Sequence, residues 1–338
     1  MQRLLATERN ARICAAIGAL TIAWSSIFVK LSHASPATAA VFRCAYAVPV
    51  LALLVAWEDR RYGARPWHNR RPAIYAGAFL AVDLILWHHS IDEVGAGLAT
   101  VLANIQVVLV PLVAWLVLSE HPGRRVLVAL PVTFLGVVLI SGVVERGAYG
   151  ANPGAGAIYG VGAGVTYVGA LLYLRRGGVD LRRPAGPLFD MTLTAAIVAS
   201  IVGPLTGATD FVPVWPGAGW LILLALTSQV SGWLLITISL PRLPAAMTSL
   251  LLMIQPIGSM VLGAIIFGED PSALQLTGVV MIIGAVIFAT RTPSAAPPDP
   301  TLGEKLVPTT TFSPSVAAYP HSGAPPSATT GTDPVPAP

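Results

Sequence analysis

Charge is what this sequence has least of. Asp, Glu, Lys and Arg together make up 11% of its 338 residues, against roughly a quarter in an ordinary soluble domain. So few charges cannot cover a globule of this size in water. Lysine is nearly absent, with 2 against 18 arginines. Cysteine is scarce too: Cys14 and Cys44 cannot build a disulfide framework, and in apolar stretches they read as small core residues. There is no Walker A loop, no HExxH, and no GxSxG with a partnered histidine, so the usual signatures of ATP-driven and hydrolytic chemistry are missing. A net charge of +4 gives no footprint for nucleic acid.

What remains is apolar. Hydrophobic residues make up 54% of the chain, and the mean hydropathy is +0.71. They fall into runs of a length that crosses a ~30 Å hydrocarbon layer as helix. Ten such runs are expected, at 12–32, 36–57, 72–91, 95–118, 124–143, 154–174, 187–207, 217–240, 244–267 and 272–290. They follow one another almost without gaps, which leaves no room for a soluble domain. Residues 1–11 form a short leading segment. Residues 292–338 are rich in Pro, Ser, Thr and Ala and read as a disordered tail that cannot bury a core.

The arginines set an orientation. With ten spans and both termini cytoplasmic, the inside segments hold 16 basic residues, while the outside loops hold Arg146 and an outer helix end carries Lys30. This is the asymmetry of the positive-inside rule. The outside loops carry acids instead: Asp92, Glu93, Glu145, Asp210, Glu269 and Asp270. The arginine bias itself suits a bacterial plasma membrane.

The chain also repeats itself. A shift of 149 places Ile105-Gln106 on Ile254-Gln255, Glu120 on Glu269 and Pro122 on Pro271. Shifts of 146, 147 and 143 place Asp83 and Trp87 on Gln229 and Trp233, Phe42-Arg43 on Phe189-Asp190, and Trp24 on Tyr167. Two five-helix halves follow, 12–143 and 154–290. Five is odd, so the second half would enter the membrane upside down. The fold class expected is therefore an all-α membrane protein of ten transmembrane helices in two inverted five-helix repeats. Inverted repeats are a hallmark of secondary transporters, whose substrate sits near midplane between the halves.

Trp24-Ser25-Ser26, Arg43, the stretch Val107 to Glu120, Gln255-Pro256 and the stretch Leu262 to Glu269 together resemble the EamA-type transporters of the drug/metabolite transporter superfamily. The resemblance spans nearly all of 12–290. It implies ten helices in two inverted halves and alternating-access transport, often export of amino acids, metabolites or drugs. Asp83 and His88-His89 are not part of that family's general pattern.

Several residues invite a functional reading. Asp83 lies in mid-helix, where an acid is expensive and faces a cavity or a partner. It is either a coupling group for protons or a cation contact, or else a structural carboxyl. Trp87 lies one turn on. Gln229 and Trp233 are their repeat partners, Trp24 and Tyr167 match across helices 1 and 6, and Gln106 and Gln255 lie near midplane. These eight are the expected substrate-binding set. Arg43 reads as a structural charge, with substrate binding as the alternative. Glu120 and Glu269 read as structural, each before a proline that opens the next helix. Asp190 is expected to pair with Arg182 or Arg183, and Lys30 to reach outward to the interface. His88, His89, Asp92 and Glu93 read as interfacial polar groups rather than a metal site. No cofactor and no metal is expected. The partners are the lipid bilayer, a small-molecule substrate and protons, with no nucleic acid. A secondary active exporter of small organic molecules is the leading reading, with a non-transporting receptor or scaffold, or an intramembrane enzyme, as the alternatives.

Overall fold

The first apolar stretch folds as two helices, α1 (Glu8–Ala23) and α2 (Ser25–Ser32), parted at Trp24. Neither proline nor glycine stands at the break. Two hydroxyls from distant elements take its carbonyls instead: Ser228 Oγ donates to Thr21 O (3.2 Å) and Ser259 Oγ to Ala23 O (2.8 Å). Side chains that intrude on the helical hydrogen-bond ladder are a recognised cause of such breaks. The second stretch also divides, into α3 (Pro36–Ala45) and α4 (Ala47–Tyr62), at Tyr46. Here the cause is Pro49, which has no N–H to offer the Ala45 carbonyl four residues back and whose ring crowds it. Ser35 opens α3 by accepting from Thr38 N at 3.3 Å, with Pro36 in the first turn.

This computed structural model describes residues 8–106, 109, 124–140, 144, 148–178, 180, 182–206, 209–239, 251–252 and 254–290. Among them every regular element is helical. The third, α5 (Trp67–Ala103), has 37 residues and would run ~55 Å if straight, too long for one crossing. Gly95 turns it, with φ 83° and ψ 170°, which separates the expected third and fourth stretches. There follow α6 (Arg124–Ile140), α7 (Pro153–Gly177), α8 (Ala185–Thr206) and α9 (Gly217–Leu224). A π-helical segment, Ala225–Gly232, joins α9 to α10 (Trp233–Ser239), and α11 (Ile254–Phe267) and α12 (Ala273–Thr290) complete the order. Among the described residues, six spans are long and apolar enough to cross a membrane, and three shorter apolar helices accompany them. Leu53, Phe134, Ile158, Leu205, Ile265 and Val280 are all at least 70% exposed, which suits contact with lipid tails. The chain is a multi-pass membrane protein. Glu120, Pro111, Pro122, most of Val107 to Glu120 and the tail 292–338 lie outside the described residues.

The two larger buried apolar clusters draw on both halves of the sequence. One gathers Phe28, Leu98, Leu102 and Ile140 with Leu221, Leu224 and Ile282. The other gathers Leu51, Leu80 and Leu84 with Leu188, Met191 and Trp233. Small residues set the spacing, as is usual where lipid supplies no hydrophobic drive. A Cβ on Gly160 would stand 2.6 Å from Leu102 Cβ, so α7 meets α5 through its glycine stripe.

Polar contacts gather at both ends of the second span, and several expectations are corrected there. Near Tyr62, Asp190 pairs with Arg65 (2.8 Å) and Arg70 (2.9 Å), not with Arg182 or Arg183. Arg182 is taken by the neighbouring Asp180, whose carboxyl it holds below the usual range, and Arg183 by Asp59 and the Gly63 carbonyl. Glu58 accepts from Ala185 N (3.0 Å) and Gly186 N (3.1 Å) at the start of α8, where the helix dipole favours an anion. Near Pro36, Lys30 does not reach outward. Its Nζ donates to Glu269 Oε1 at 2.8 Å and lies over the Phe267 ring at 4.5 Å. Glu269 also accepts from Ala96 N (2.8 Å) and Gly97 N (3.1 Å). It therefore caps the helix that begins after Gly95 rather than the one that follows it in sequence. His88, expected at an interface, is wholly buried, with Nδ1 3.0 Å from Pro36 O.

Candidate functional site

Three irregularities of the backbone, the breaks at Trp24 and Tyr46 and the π-helical segment, converge on one guanidinium. Arg43 sits in the last turn of α3, one turn before the break at Tyr46. Ser25 opens α2 directly after the break at Trp24. Gln229 lies in the π-helical segment, a form that recurs at functional sites. Arg43 Nε donates to Gln229 Oε1 at 2.9 Å, and Nη1 donates to Ser25 Oγ at 2.9 Å. Gln229 Nε2 in turn donates to Thr192 Oγ1 at 3.1 Å. Every one of these side chains is buried, and Arg43 is 3% exposed.

Arg43 and Ser25 form part of the wall of a half-open cavity, about 560 Å³ when the space open at its mouth is counted. Helix α5 supplies a full face of that wall. Leu80, Asp83, Leu84 and Trp87 are spaced by three, four and seven residues, so they point the same way. Beyond the Gly95 turn, the same helix returns Thr100, Ala103 and Asn104, and Gln106 follows. The second half of the chain contributes Tyr167 from α7, Trp233 from α10 and Gln255 from α11. Tyr167 and Trp233 lie 5.8 Å apart, centroid to centroid. The Arg43 guanidinium lies 5.7 Å from the Trp87 ring, within cation–π range.

Asp83 is 5% exposed and takes no hydrogen bond among the described residues. It interacts electrostatically with Arg43, yet no ion pair within 4.0 Å joins them. A carboxyl group and a guanidinium thus share a cavity without closing on each other. The arrangement can hold a small solute by its polar groups at one end and its apolar body against indole and phenol walls.

Of the eight residues expected to bind substrate, the cavity brings together six: Asp83, Trp87, Gln106, Tyr167, Trp233 and Gln255. Gln229 stands behind Arg43 and does not reach the cavity. Trp24 is 37% exposed and stacks on Phe28 at 5.8 Å, away from the wall. The cavity adds Arg43, which was read as a structural charge, and Ser25, Thr100 and Asn104. The available signal for Arg43 was its place well inside the apolar stretch 36–57, where a cation needs a partner or a cavity.

These features define a helical multi-pass membrane protein with a polar cavity walled from both halves of its chain. The model of the EamA-like transporter family matches residues 10–142 and 154–291, one copy on each half, and the chain belongs to that family. A solved crystal structure is similar in fold, with a TM-score of 0.56 and 16% identity over 84% of this chain and 98% of that one. No curated protein matches the sequence.

Proposed function

We propose that the protein is a secondary active transporter that moves small organic molecules, metabolites or drugs among them, across the bacterial plasma membrane by alternating access. Ten helices in two inverted halves, both termini in the cytoplasm and outward export complete the reading. The observation that carries it is the cavity itself: one polar and aromatic space whose wall is shared by Asp83, Trp87 and Gln106 of one half and Tyr167, Trp233 and Gln255 of the other. A site divided between repeats opens to either side when one repeat rocks against the other. Asp83, buried in that wall without a hydrogen-bonding partner among the described residues, is the group that would carry a coupling proton.

The test is transport by the purified protein in proteoliposomes. Imposed pH gradients should drive accumulation of at least one labelled solute from a panel of organic acids, amines and dyes, and unlabelled solute should exchange with it. Saturable binding with neither accumulation nor exchange would make the protein a receptor instead.

A further inference from the structure

The guanidinium of Arg43 is buried at the cavity wall with more donors than partners. An arginine has five N–H groups. Two are used, by Gln229 and by Ser25, and no carboxylate lies within ion-pair distance among the described residues. The remaining three include both on Nη2, and Arg43 is part of the cavity wall. Buried charged donors left unmatched are costly, so such groups are normally matched by a partner. The two neutral acceptors fix the plane of the guanidinium without neutralising it. Trp87 covers one of its sides at 5.7 Å.

We propose that Arg43 is the receptor for an organic carboxylate, and that the solute accepted by the cavity is a small monocarboxylate with a planar apolar body. This rests on the transport reading and names its substrate class. A carboxylate is planar and matches the fork of a guanidinium. The body of such a solute lies against Trp87, Tyr167 and Trp233, with Asn104, Gln106 and Gln255 to bond its remaining polar atoms. Asp83 stands in the same cavity as a like charge to the incoming anion. Binding of the anion and protonation of Asp83 therefore favour each other. The titratable or charged groups that interact with Arg43 are Asp83, Cys44, Tyr167 and His88. Of these, Asp83 is the acid that lines the cavity.

The experiment is a titration of tryptophan fluorescence in the full-length protein, purified in detergent. The probes are phenylacetate, benzoate, butyrate and indole-3-acetate, each beside its uncharged amide. At least one carboxylate should bind tenfold or more tightly than its amide. Arg43→Gln and Arg43→Lys should reduce that preference to within about twofold, Lys because it keeps the charge and loses the fork. Equal affinity for acid and amide in every pair overturns the proposal even if no Arg43 variant folds. So does an Arg43→Gln protein that keeps the preference. Transport of an amine or a neutral dye with no acid preference would leave the transporter reading intact and sink this one. Carboxylate binding without transport would do the reverse.

Discussion

Gln229 holds Arg43 from the other half of the chain. The 2.9 Å bond from Arg43 Nε to Gln229 Oε1 crosses from the repeat that begins near residue 12 to the one that begins near residue 154. It ties the proposed anion receptor to a π-helical turn of the opposite half. Rocking between halves would therefore be felt at the guanidinium.

That bond gives a sharp substitution. Gln229→Glu is isosteric and places a carboxylate on Arg43. A closed, buried ion pair would satisfy the guanidinium and compete with the solute. The acid-over-amide preference should fall to near unity, while the thermal midpoint in detergent stays the same or rises. Gln229→Ala, which removes the acceptor, should instead cost about 1–3 kcal/mol of stability. A Gln229→Glu protein with wild-type affinity for carboxylates would show that Arg43 does not receive them.

The turn at Gly95 makes a stability prediction with an internal control. Gly63 and Gly95 share nearly the same backbone, φ 82° and 83° with ψ 169° and 170°, a region that penalises any Cβ by about 1–3 kcal/mol. A Cβ on Gly63 meets nothing within 4 Å, whereas one on Gly95 would stand 2.7 Å from Glu269 Oε1. Gly63→Ala should therefore show backbone strain alone. Gly95→Ala should show that strain plus the loss of the Glu269 contacts with Lys30, Ala96 N and Gly97 N. The melting temperature should fall clearly further for Gly95→Ala, and equal falls would mean that Glu269 does not brace this turn.

Much of this architecture was legible in the sequence, and the reasons differ by element. Apolar runs report helices directly, because lipid demands about 20 apolar residues per crossing. The Gly95 boundary was visible as a gap between runs. The break at Trp24 was not, since its cause is two serine hydroxyls more than 200 residues away in sequence. The π-helical turn was equally silent, because ALTSQVSG carries no local signal for it. Repeat matching placed Gln229 and Trp24 in the candidate site by analogy with Asp83 and Tyr167, yet pseudo-symmetry does not fix side-chain direction. Asp190 shows the same limit. Its partners, Arg65 just before α5 and Arg70 in its first turn, lie more than 100 residues earlier, and nearness in sequence favoured Arg182 and Arg183.

Orientation is testable by labelling. In a background where Cys14 and Cys44 are replaced by alanine, Ala64→Cys and Ala148→Cys should react from opposite sides of the membrane. Position 64 lies in the arginine-rich connection after α4 and should react from the cytoplasmic side, in keeping with the positive-inside rule. Position 148 precedes α7 and should react from outside. Labelling of both from one face would rule out an odd number of crossings between them and with it the inverted halves.

Asp83→Asn separates the roles of the two cavity charges. Asparagine keeps the size and removes both the titration and the negative charge. If Asp83 carries the coupling proton, a pH gradient should no longer drive accumulation in proteoliposomes, while exchange of labelled for unlabelled solute persists. If Arg43 receives a carboxylate beside Asp83, the same substitution should also tighten carboxylate binding, by on the order of tenfold for one unit charge removed within a partly polar cavity. The pH profile supplies the sign. Wild-type affinity for the acid should strengthen as pH falls towards protonation of Asp83, and the asparagine variant should lose that dependence over the range where the probe stays ionised. An Asp83→Asn protein with unchanged gradient-driven uptake, affinity and pH profile would make Asp83 a structural carboxyl. Weakened carboxylate binding would mean that Asp83 touches a cationic group of the solute, and that the acid end of the cavity has been assigned to the wrong partner.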